Sequence, residues 1–364
     1  MNREALLDQV SSRALHALSQ LIELPEETIQ AAFEASCSPD GYERFEFPKG
    51  DGRVRVIHAP VEALKVTQRC LLDHLFAQVS VTPFAHGFVP HRSIVTNALI
   101  HAPSARSVLN LDLQDAFPSV LEIRVQRLLR WRVGRLLKVA TPQLDATERI
   151  ALCDTITALC TRDGALPQGA PTSGYILNLA CSRLDRLVYG VALRSGLPRV
   201  KYTRYADDLT ITTSSSEPIP PQFIAQVRSA VLKSGFKVNA RKVHTHTDSQ
   251  RAIVICGVRL ANGALALPKE AIKRYRAQLT TAARTPPQEL TPLEQQKILG
   301  VISFVRSIYP SPPRALIKPL NALIEAHQHL GDPQSLWLKS PKNEVIQRFQ
   351  HFSYASGGSS EQER

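Results

Sequence analysis

Two adjacent carboxylates occupy the middle of the stretch RYADDLTITT, residues 204–213. Asp207 and Asp208 lie where two short alternating segments meet, a pattern that predicts a β-hairpin with both acids at its turn. Adjacent carboxylates repel each other unless a cation is present. Asp112 follows the apolar stretch SVLNL and can supply a third carboxylate from the end of a neighbouring strand. Three such acids predict a site for two Mg²⁺ ions about 4 Å apart that promotes phosphoryl transfer; a solvated hairpin turn is the alternative.

The overall charge favours a polyanionic partner. The chain has 44 basic and 32 acidic residues, a formal net charge of +12, although a merely basic soluble protein would share this balance. No apolar run reaches the roughly 18 residues of a membrane span. The N-terminal segment is charged and helical in period, so we expect a cytoplasmic protein without a signal peptide. The six cysteines include no C-x-x-C pair and are predicted to be reduced.

The order of predicted elements indicates an α+β fold, with an antiparallel sheet backed by helices. Residues 42–60 predict a hairpin that turns at Gly50-Asp51-Gly52, and residues 252–265 predict another that turns at Asn262-Gly263. Residues 172–193 read as one helix with an apolar face. A capping box at Thr291 and Glu294 predicts the start of a C-terminal helix.

A series of motifs resembles those of reverse transcriptases, most closely the bacterial retron type. The resemblance is carried by LDLQDAFPSV (111–120), LPQGAPTSGYILNLACSRLD (166–185) and YTRYADDLTIT (202–212). FPKGDGRVRVIHAP (47–60), GFKVNARKVH (235–244) and AIVICGVRL (252–260) occupy further family positions. NALIH (97–101) matches the Asn-Ala-x-x-His block of retron enzymes, whereas Ile255-Cys256-Gly257 replaces their usual Val-Thr-Gly.

The resemblance implies a right-hand polymerase made of fingers, a palm with an antiparallel sheet, and a helical thumb. We expect an N-terminal helical extension at 1–40, fingers at 41–104 and a palm at 105–265. A fingers insertion would interrupt the palm around 121–170. The thumb would cover 266–340, and a C-terminal tail 341–364, whose end is expected to be disordered.

The resemblance also implies roles for individual residues. The metal ligands would be Asp112, Asp207, Asp208 and the carbonyl of Leu113, binding two Mg²⁺ ions, with Mn²⁺ as a substitute. The incoming nucleotide would contact Lys49, Arg53, Arg55, Phe117, Gln168 and Lys242, and primer and template would contact Gly257, Lys269, Lys273, Arg274 and Arg276. Alternatives stay open for three of these: a solvated strand face for Arg53, a core position for Phe117 and a surface position for Lys242.

The motif residues Asn97 and His101 are four apart, so on a helix they share one face. That face is expected either to pack beside the palm or to contact RNA.

The function implied by the resemblance is an RNA-directed DNA polymerase that copies part of a cognate structured non-coding RNA into single-stranded DNA. The RNA would serve as template and primer, deoxynucleoside triphosphates as substrates, and a separate effector protein would act with it in antiphage defence. Three alternatives are a non-retron defence reverse transcriptase, a catalytically idle nucleic-acid-binding scaffold, and an RNA-synthesising enzyme. The complete acid triad argues against the scaffold, and Phe117 against RNA synthesis.

Overall fold

The structure, a computed structural model, describes residues 11–48, 52 and 54–326. Lys49, Arg53 and the predicted C-terminal tail lie outside this range. The chain divides into two compact units, one ending at Cys256 and the next beginning at Gly257. Within the described residues, no helix is both long and apolar enough to cross a membrane. All six cysteines are free thiols.

The first unit contains nine α-helices and seven strands among its described residues. The helices are α1 (Ser12–Ile22), α2 (Glu26–Cys37), α3 (Glu62–Cys70), α4 (Ile94–His101), α5 (Glu122–Ala140), α6 (Ala146–Cys160), α7 (Ser173–Ala180), α8 (Ser182–Leu193) and α9 (Pro221–Lys233). The strands are β1 (Tyr42–Pro48), β2 (Val54–Pro60), β3 (Ser107–Asp112), β4 (Lys201–Tyr205), β5 (Asp208–Thr213), β6 (His244–Thr247) and β7 (Val254–Ile255).

The largest sheet has the strand order β4-β5-β3-β6 and is antiparallel throughout. Its inward side chains include Leu109, Leu111, Leu209 and Ile211, all of which are buried in the core. Helix α8 packs against β4, and α9 packs against α8. The predicted α+β fold, an antiparallel sheet backed by helices, is therefore confirmed.

The predicted single helix over 172–193 is interrupted. Helix α7 ends at Ala180 and α8 starts at Ser182, because Cys181 between them has ψ −2° instead of a helical value. The N–H of Cys181 is shared between the carbonyls of Leu177 and Leu179. This sharing tightens the backbone at Cys181 and separates the two helices.

The predicted hairpin at residues 42–60 is formed by β1 and β2, which pair from Tyr42↔Pro60 to Pro48↔Val54. In β1 only Tyr42, at the base, is buried. The base is joined to the loop after α6, because the His58 N–H donates to the Gln168 carbonyl at 2.8 Å. This hydrogen bond connects two segments that were each predicted to contact a nucleotide.

The second unit begins with a hairpin of β8 (Val258–Ala261) and β9 (Ala264–Ala266). Its turn is the predicted Asn262-Gly263, with φ of 49° and 79°, the left-handed geometry of a two-residue turn. Three helices follow: α10 (Lys269–Arg284), α11 (Pro292–Ile308) and α12 (Arg314–Ala326). The capping box of Thr291 and Glu294 forms as predicted. The predicted palm–thumb boundary at 265/266 falls inside this unit, and the division into fingers, palm and thumb stays a prediction.

Candidate active site

The three predicted metal carboxylates meet at one end of the four-stranded sheet. Asp112, the last residue of β3, is the register partner of Asp208, the first residue of β5. Asp207 lies in the two-residue turn between β4 and β5, after Ala206, which has a left-handed φ of 56°. The Leu113 N–H donates to the Asp207 carbonyl at 2.9 Å and ties the turn to the end of β3. Residues far apart in sequence thus form one acidic edge.

A cleft of about 750 Å³ opens beside this edge. Its lining contains Asp112 and Asp207 together with four of the residues predicted to contact the nucleotide: Arg55, Phe117, Gln168 and Lys242. Leu113, whose carbonyl was predicted as a ligand, lines it as well. The fold therefore gathers every described member of the predicted nucleotide site around one cavity.

A smaller cavity of about 310 Å³ also borders the acids. Its lining includes Asp112 and Asp208 with Asn110, His244 and Cys256. Asp112 therefore borders both cavities, while Asp207 faces the larger and Asp208 the smaller.

The electrostatics of the edge favour a bound cation. Burial raises the pKa of Asp207, and burial followed by repulsion from Asp207 and Asp112 raises the pKa of Asp208 to about 6. The Lys242 ammonium donates to Asp112 Oδ2 at 2.8 Å, a bond that raises the pKa of Lys242. Asn239 Nδ2 lies 3.3 Å from the other Asp112 oxygen.

The donor set fits Mg²⁺, since it consists of hard carboxylate oxygens whose mutual repulsion a cation would relieve. Within residues 11–326 as described, no three acidic, histidine or cysteine side chains close into a cage by themselves. Mg²⁺ commonly binds through one or two carboxylates and completes its shell with water and substrate phosphates. An open acidic edge beside a large cleft is compatible with that mode.

Comparison with known proteins places the chain in a family. Residues 47–301 match the family described as reverse transcriptase (RNA-dependent DNA polymerase). The chain belongs to the reverse transcriptase family. The match covers most of the chain and includes both strands that carry the acids, so the predicted right-hand polymerase fold is confirmed.

Three retron reverse transcriptases are similar to the chain over most of its length. The Mx162 enzyme of Myxococcus xanthus is 34% identical over 300 residues, which are 78% of this chain and 61% of that protein. The Mx65 enzyme of the same organism is 36% identical over 74% of this chain and 62% of its own length. The Ec86 enzyme of Escherichia coli is 30% identical over 74% of this chain and 77% of its own length. The predicted resemblance to the retron type is confirmed, while the matched region spans less than two thirds of either Myxococcus protein.

Beneath the acidic turn lies a fully buried ion pair that sequence reasoning missed. The Arg204 guanidinium donates to both oxygens of Asp185, at 2.8 and 2.9 Å, and both side chains have no exposed surface. Arg204 also donates to Asn178 Oδ1 and to the Ala206 carbonyl, each at 2.9 Å. The Tyr202 hydroxyl donates to Asp185. The bond to Ala206 holds the strained residue immediately before Asp207.

A signal for this pair was present in the sequence. Asp185 falls on the face of α8 that buries Leu184 and Val188, a position where an unpaired carboxylate would be costly. Arg204 lies on a strand whose neighbours Tyr202 and Thr203 are also buried. A carboxylate on an apolar helix face indicates that some cation pairs with it, but only the fold shows that this cation is Arg204 and that the pair supports the turn.

The retron motif residues pack against the sheet. Asn97 and His101 on α4 are both fully buried. His101 exchanges hydrogen bonds of 2.7 Å with the hydroxyls of Thr212 on β5 and Thr203 on β4. Burial lowers the pKa of His101 to about 3, so the ring is neutral. Of the two alternatives for this face, the structure shows packing, against strands β4 and β5.

An exposed aromatic ring stands next to Phe117, one of the residues predicted to contact the nucleotide. Phe88 meets Phe117 edge to face, with centroids 6.3 Å apart. It has a left-handed φ of 57°, and its ring lies so close to Gly174 that a Cβ there would be 2.2 Å from Phe88 Cγ. Sequence reasoning did not single out Phe88, since only the fold brings the two rings together.

The residues predicted to contact primer and template lie in the second unit. Lys269, Lys273, Arg274 and Arg276 are all exposed on α10. Gly257 has φ 81°, a left-handed value that suits glycine at a turn. Their contact with nucleic acid stays a prediction.

Proposed function

We propose that this chain is an RNA-directed DNA polymerase of the retron type, which copies part of a structured non-coding RNA into single-stranded DNA. The observation that carries the proposal is the pairing of Asp112 with Asp208 beside Asp207, at the edge of a cleft lined by Arg55 and Phe117. Reverse transcriptase family membership and the retron names of the relatives support it.

Asp112, Asp207 and Asp208 would hold the metal ions, with the Leu113 carbonyl as a further ligand. When bound, Mg²⁺ neutralises charge on the triphosphate and on the attacking hydroxyl oxygen. The chain supplies an acidic edge whose repulsion disfavours the metal-free state. The Lys242 ammonium already donates a hydrogen bond to Asp112. From this position it would donate a proton to the leaving pyrophosphate or screen its negative charge.

The remaining cleft residues would select and orient the nucleotide. Burial raises the pKa of Asp207, and the positive charge of Arg55, which lines the same cleft, opposes that rise in part. From that place Arg55 would clamp phosphate oxygens. Phe117 would fill the space that a ribose 2′-hydroxyl requires. Gln168 would contact the nucleotide from the loop that is bonded to β2.

The RNA would be held outside the cleft by exposed cations, because phosphate contacts dominate the affinity of proteins for nucleic acids. The exposed basic residues of α10 suit this role. Priming from a guanosine 2′-hydroxyl, a separate effector protein, a role in antiphage defence and a cytoplasmic location complete the proposal.

Substitution of the acids tests the polymerase. We expect Asp207→Ala and Asp112→Ala each to reduce primer extension on an RNA template by at least about 10³-fold, since each removes transition-state charge stabilisation. RNA affinity should change by less than about threefold, because the acids do little for template docking. The matched control is Asp73→Ala, an exposed acid away from the cleft. Extension near the wild-type rate by either site variant would contradict the assignment.

The retron assignment is tested in the native host. We expect short single-stranded DNA joined to RNA through a 2′,5′ branch, seen as a size shift after ribonuclease and then debranching enzyme. Its formation should require this gene and a structured RNA encoded near it, and a strain carrying Asp207→Ala should lack it. Abundant DNA without an RNA linkage would assign the chain to a non-retron defence reverse transcriptase instead.

A further inference from the structure

The outer face of α5 carries a line of cations with one aromatic ring in its middle. Arg127, Trp131 and Arg135 are four residues apart and Lys138 follows three later, so the four side chains share one face of the helix. All four are exposed, and Trp131 keeps 53% of its surface accessible. We call these four residues the α5 stripe; it spans about 17 Å along the helix axis.

Among the residues that the structure describes, no acidic side chain neutralises the charges of the α5 stripe. Helix α5 has six basic residues and one acid, Glu122. Arg124 is turned inward, where it donates to the carbonyls of Ala180 and Ser234, and Arg130 is paired with Asp154. In the part of the chain that the structure describes, no ion pair reaches Arg127, Arg135 or Lys138. A solvated helix face normally mixes both signs of charge, so this one is complementary to a polyanion.

The aromatic ring narrows the class of polyanion. The Arg132 guanidinium lies over the Trp131 ring, 4.5 Å from its centroid. An exposed ring bordered by cations is the chemistry that binds single-stranded nucleic acid, since unpaired bases stack on the ring while phosphates contact the cations. The bases of a duplex are already stacked on each other and gain less from such a surface.

The position of α5 indicates which single strand it meets. Pro118 lines the large cleft, and α5 begins four residues later at Glu122. Glu122 N–H donates to the Gly164 carbonyl at 2.8 Å, in the segment that leads to the cleft residue Gln168. Helix α5 therefore starts on the side of the cleft where the nucleotide would bind. During copying, the single strand on that side is template that has not yet been paired.

We propose that the α5 stripe binds the uncopied, single-stranded RNA template ahead of the cleft, with a base stacked on Trp131. The inference rests on the proposed function for the identity of the strand. The binding itself is measured without nucleotides and does not depend on catalysis.

Trp131 provides a local reporter for the test. The chain has two tryptophans, Trp131 and Trp337, so Trp337→Phe in the full chain leaves Trp131 as the sole tryptophan fluorophore. An unstructured oligouridine of about 15 nucleotides should quench it saturably, because a base stacks on the ring. Polyglutamate of equal charge should neither quench it nor compete.

Paired variants then test the template. A template–primer with a long RNA overhang beyond the primer end should bind the wild type more tightly than one with a two-nucleotide overhang. The double variant Arg127→Glu with Arg135→Glu should weaken binding of the long-overhang substrate by about tenfold or more and so remove its advantage. It should also reduce the steepness of log K for that binding against log salt concentration by about 1.4. Trp131→Ala should remove much of it through lost stacking. The control, Arg228→Glu with Lys233→Glu, reverses two exposed charges on α9 and should retain it.

The outcomes separate this inference from the proposed function. If the overhang advantage survives in both stripe variants, the proposed template-binding role of the stripe is overturned. It is also overturned if polyglutamate quenches Trp131 or competes as well as oligouridine does, a result that would instead indicate an acidic protein partner. Extension of the short-overhang substrate should be unchanged in the stripe variants. A chain that never extends primers but shows the overhang effect would refute the polymerase and keep the RNA-binding surface.

Discussion

Two hairpins border the cleft, and they are held in opposite ways. The β4–β5 hairpin, which carries Asp207 and Asp208, rests on the fully buried pair of Arg204 and Asp185. The β1–β2 hairpin, which carries Arg55, is exposed along most of β1. Its base is bonded to the Gln168 loop.

The difference matches the two tasks proposed for the hairpins. Metal ligands must keep a fixed geometry, so a buried network that holds the turn from below is of use there. Residues that clamp a triphosphate act on a substrate that enters and leaves. An exposed hairpin that is joined at its base leaves room for the substrate to enter and leave. The buried ion pair under β4–β5 and the contact between β2 and the Gln168 loop can be broken separately by substitution.

The largest effect is expected from breaking the support of the acidic turn. Arg204→Leu leaves Asp185 as an unpaired buried charge, which should lower the free energy of unfolding by about 3–5 kcal/mol. Urea unfolding followed by circular dichroism measures this loss. The control is Arg44→Leu, which breaks the exposed pair of Arg44 with Glu46 and should cost less than about 1 kcal/mol. Equal losses in both variants would refute a special role for the buried pair.

A smaller effect is expected where the β1–β2 hairpin meets its support. Gly169 has φ 119°, and a Cβ there would lie 2.7 Å from Ile57 Cγ2 and 2.9 Å from the His58 carbonyl oxygen. Gly169→Ala should therefore displace β2 and lower kcat/KM for nucleotide incorporation by about 10²-fold.

The matched control for this displacement is Gly164→Ala. Gly164 also has a positive φ, 74°, but a Cβ there would meet nothing within 4 Å. Both variants carry backbone strain, and only one pushes the hairpin. Similar kcat/KM values for the two would show that strain, and not the close approach, decides the outcome.

The smallest effect concerns selection between nucleotides at the edge of the cleft. Phe117→Ala should raise the ratio of kcat/KM for ribonucleotides to that for deoxyribonucleotides by about tenfold, because it opens space for a 2′-hydroxyl. Phe45→Ala, on the exposed part of β1, is the control and should leave the ratio unchanged. If a folded Phe117→Ala protein keeps the wild-type ratio, the ring serves packing alone.

Local patterns predicted the acidic edge well. The hairpin around Asp207 follows from alternation on both sides of a turn, and Asp112 follows from an apolar strand that ends in an acid. The Asn262-Gly263 turn and the Thr291 capping box are equally local, and each formed as predicted.

Features that depend on contacts between segments distant in the sequence could not be predicted from it. The pairing of Arg204 with Asp185 and the contact of Phe88 with Phe117 join segments whose meeting no local pattern encodes. The break at Cys181 was missed because both halves of 172–193 share helical periodicity. For Asn97 and His101 the periodicity predicted a shared face, but only the fold showed that Thr203 and Thr212 cover His101.

The strand order has a consequence for synthesis of the protein. Strand β3 lies between β5 and β6, yet it leaves the ribosome well before either partner. Until they emerge, its two edges and its apolar residues Leu109 and Leu111 lack their native cover, and unpaired strand edges tend to associate with other chains. Bringing β5 and β6 to β3 also closes a long intervening segment, and the loss of chain entropy comes before the strand contacts can offset it. Asp112 therefore reaches its place beside Asp208 only after translation has passed Thr213, and a chain that ends before that point keeps an unpaired strand edge that favours aggregation.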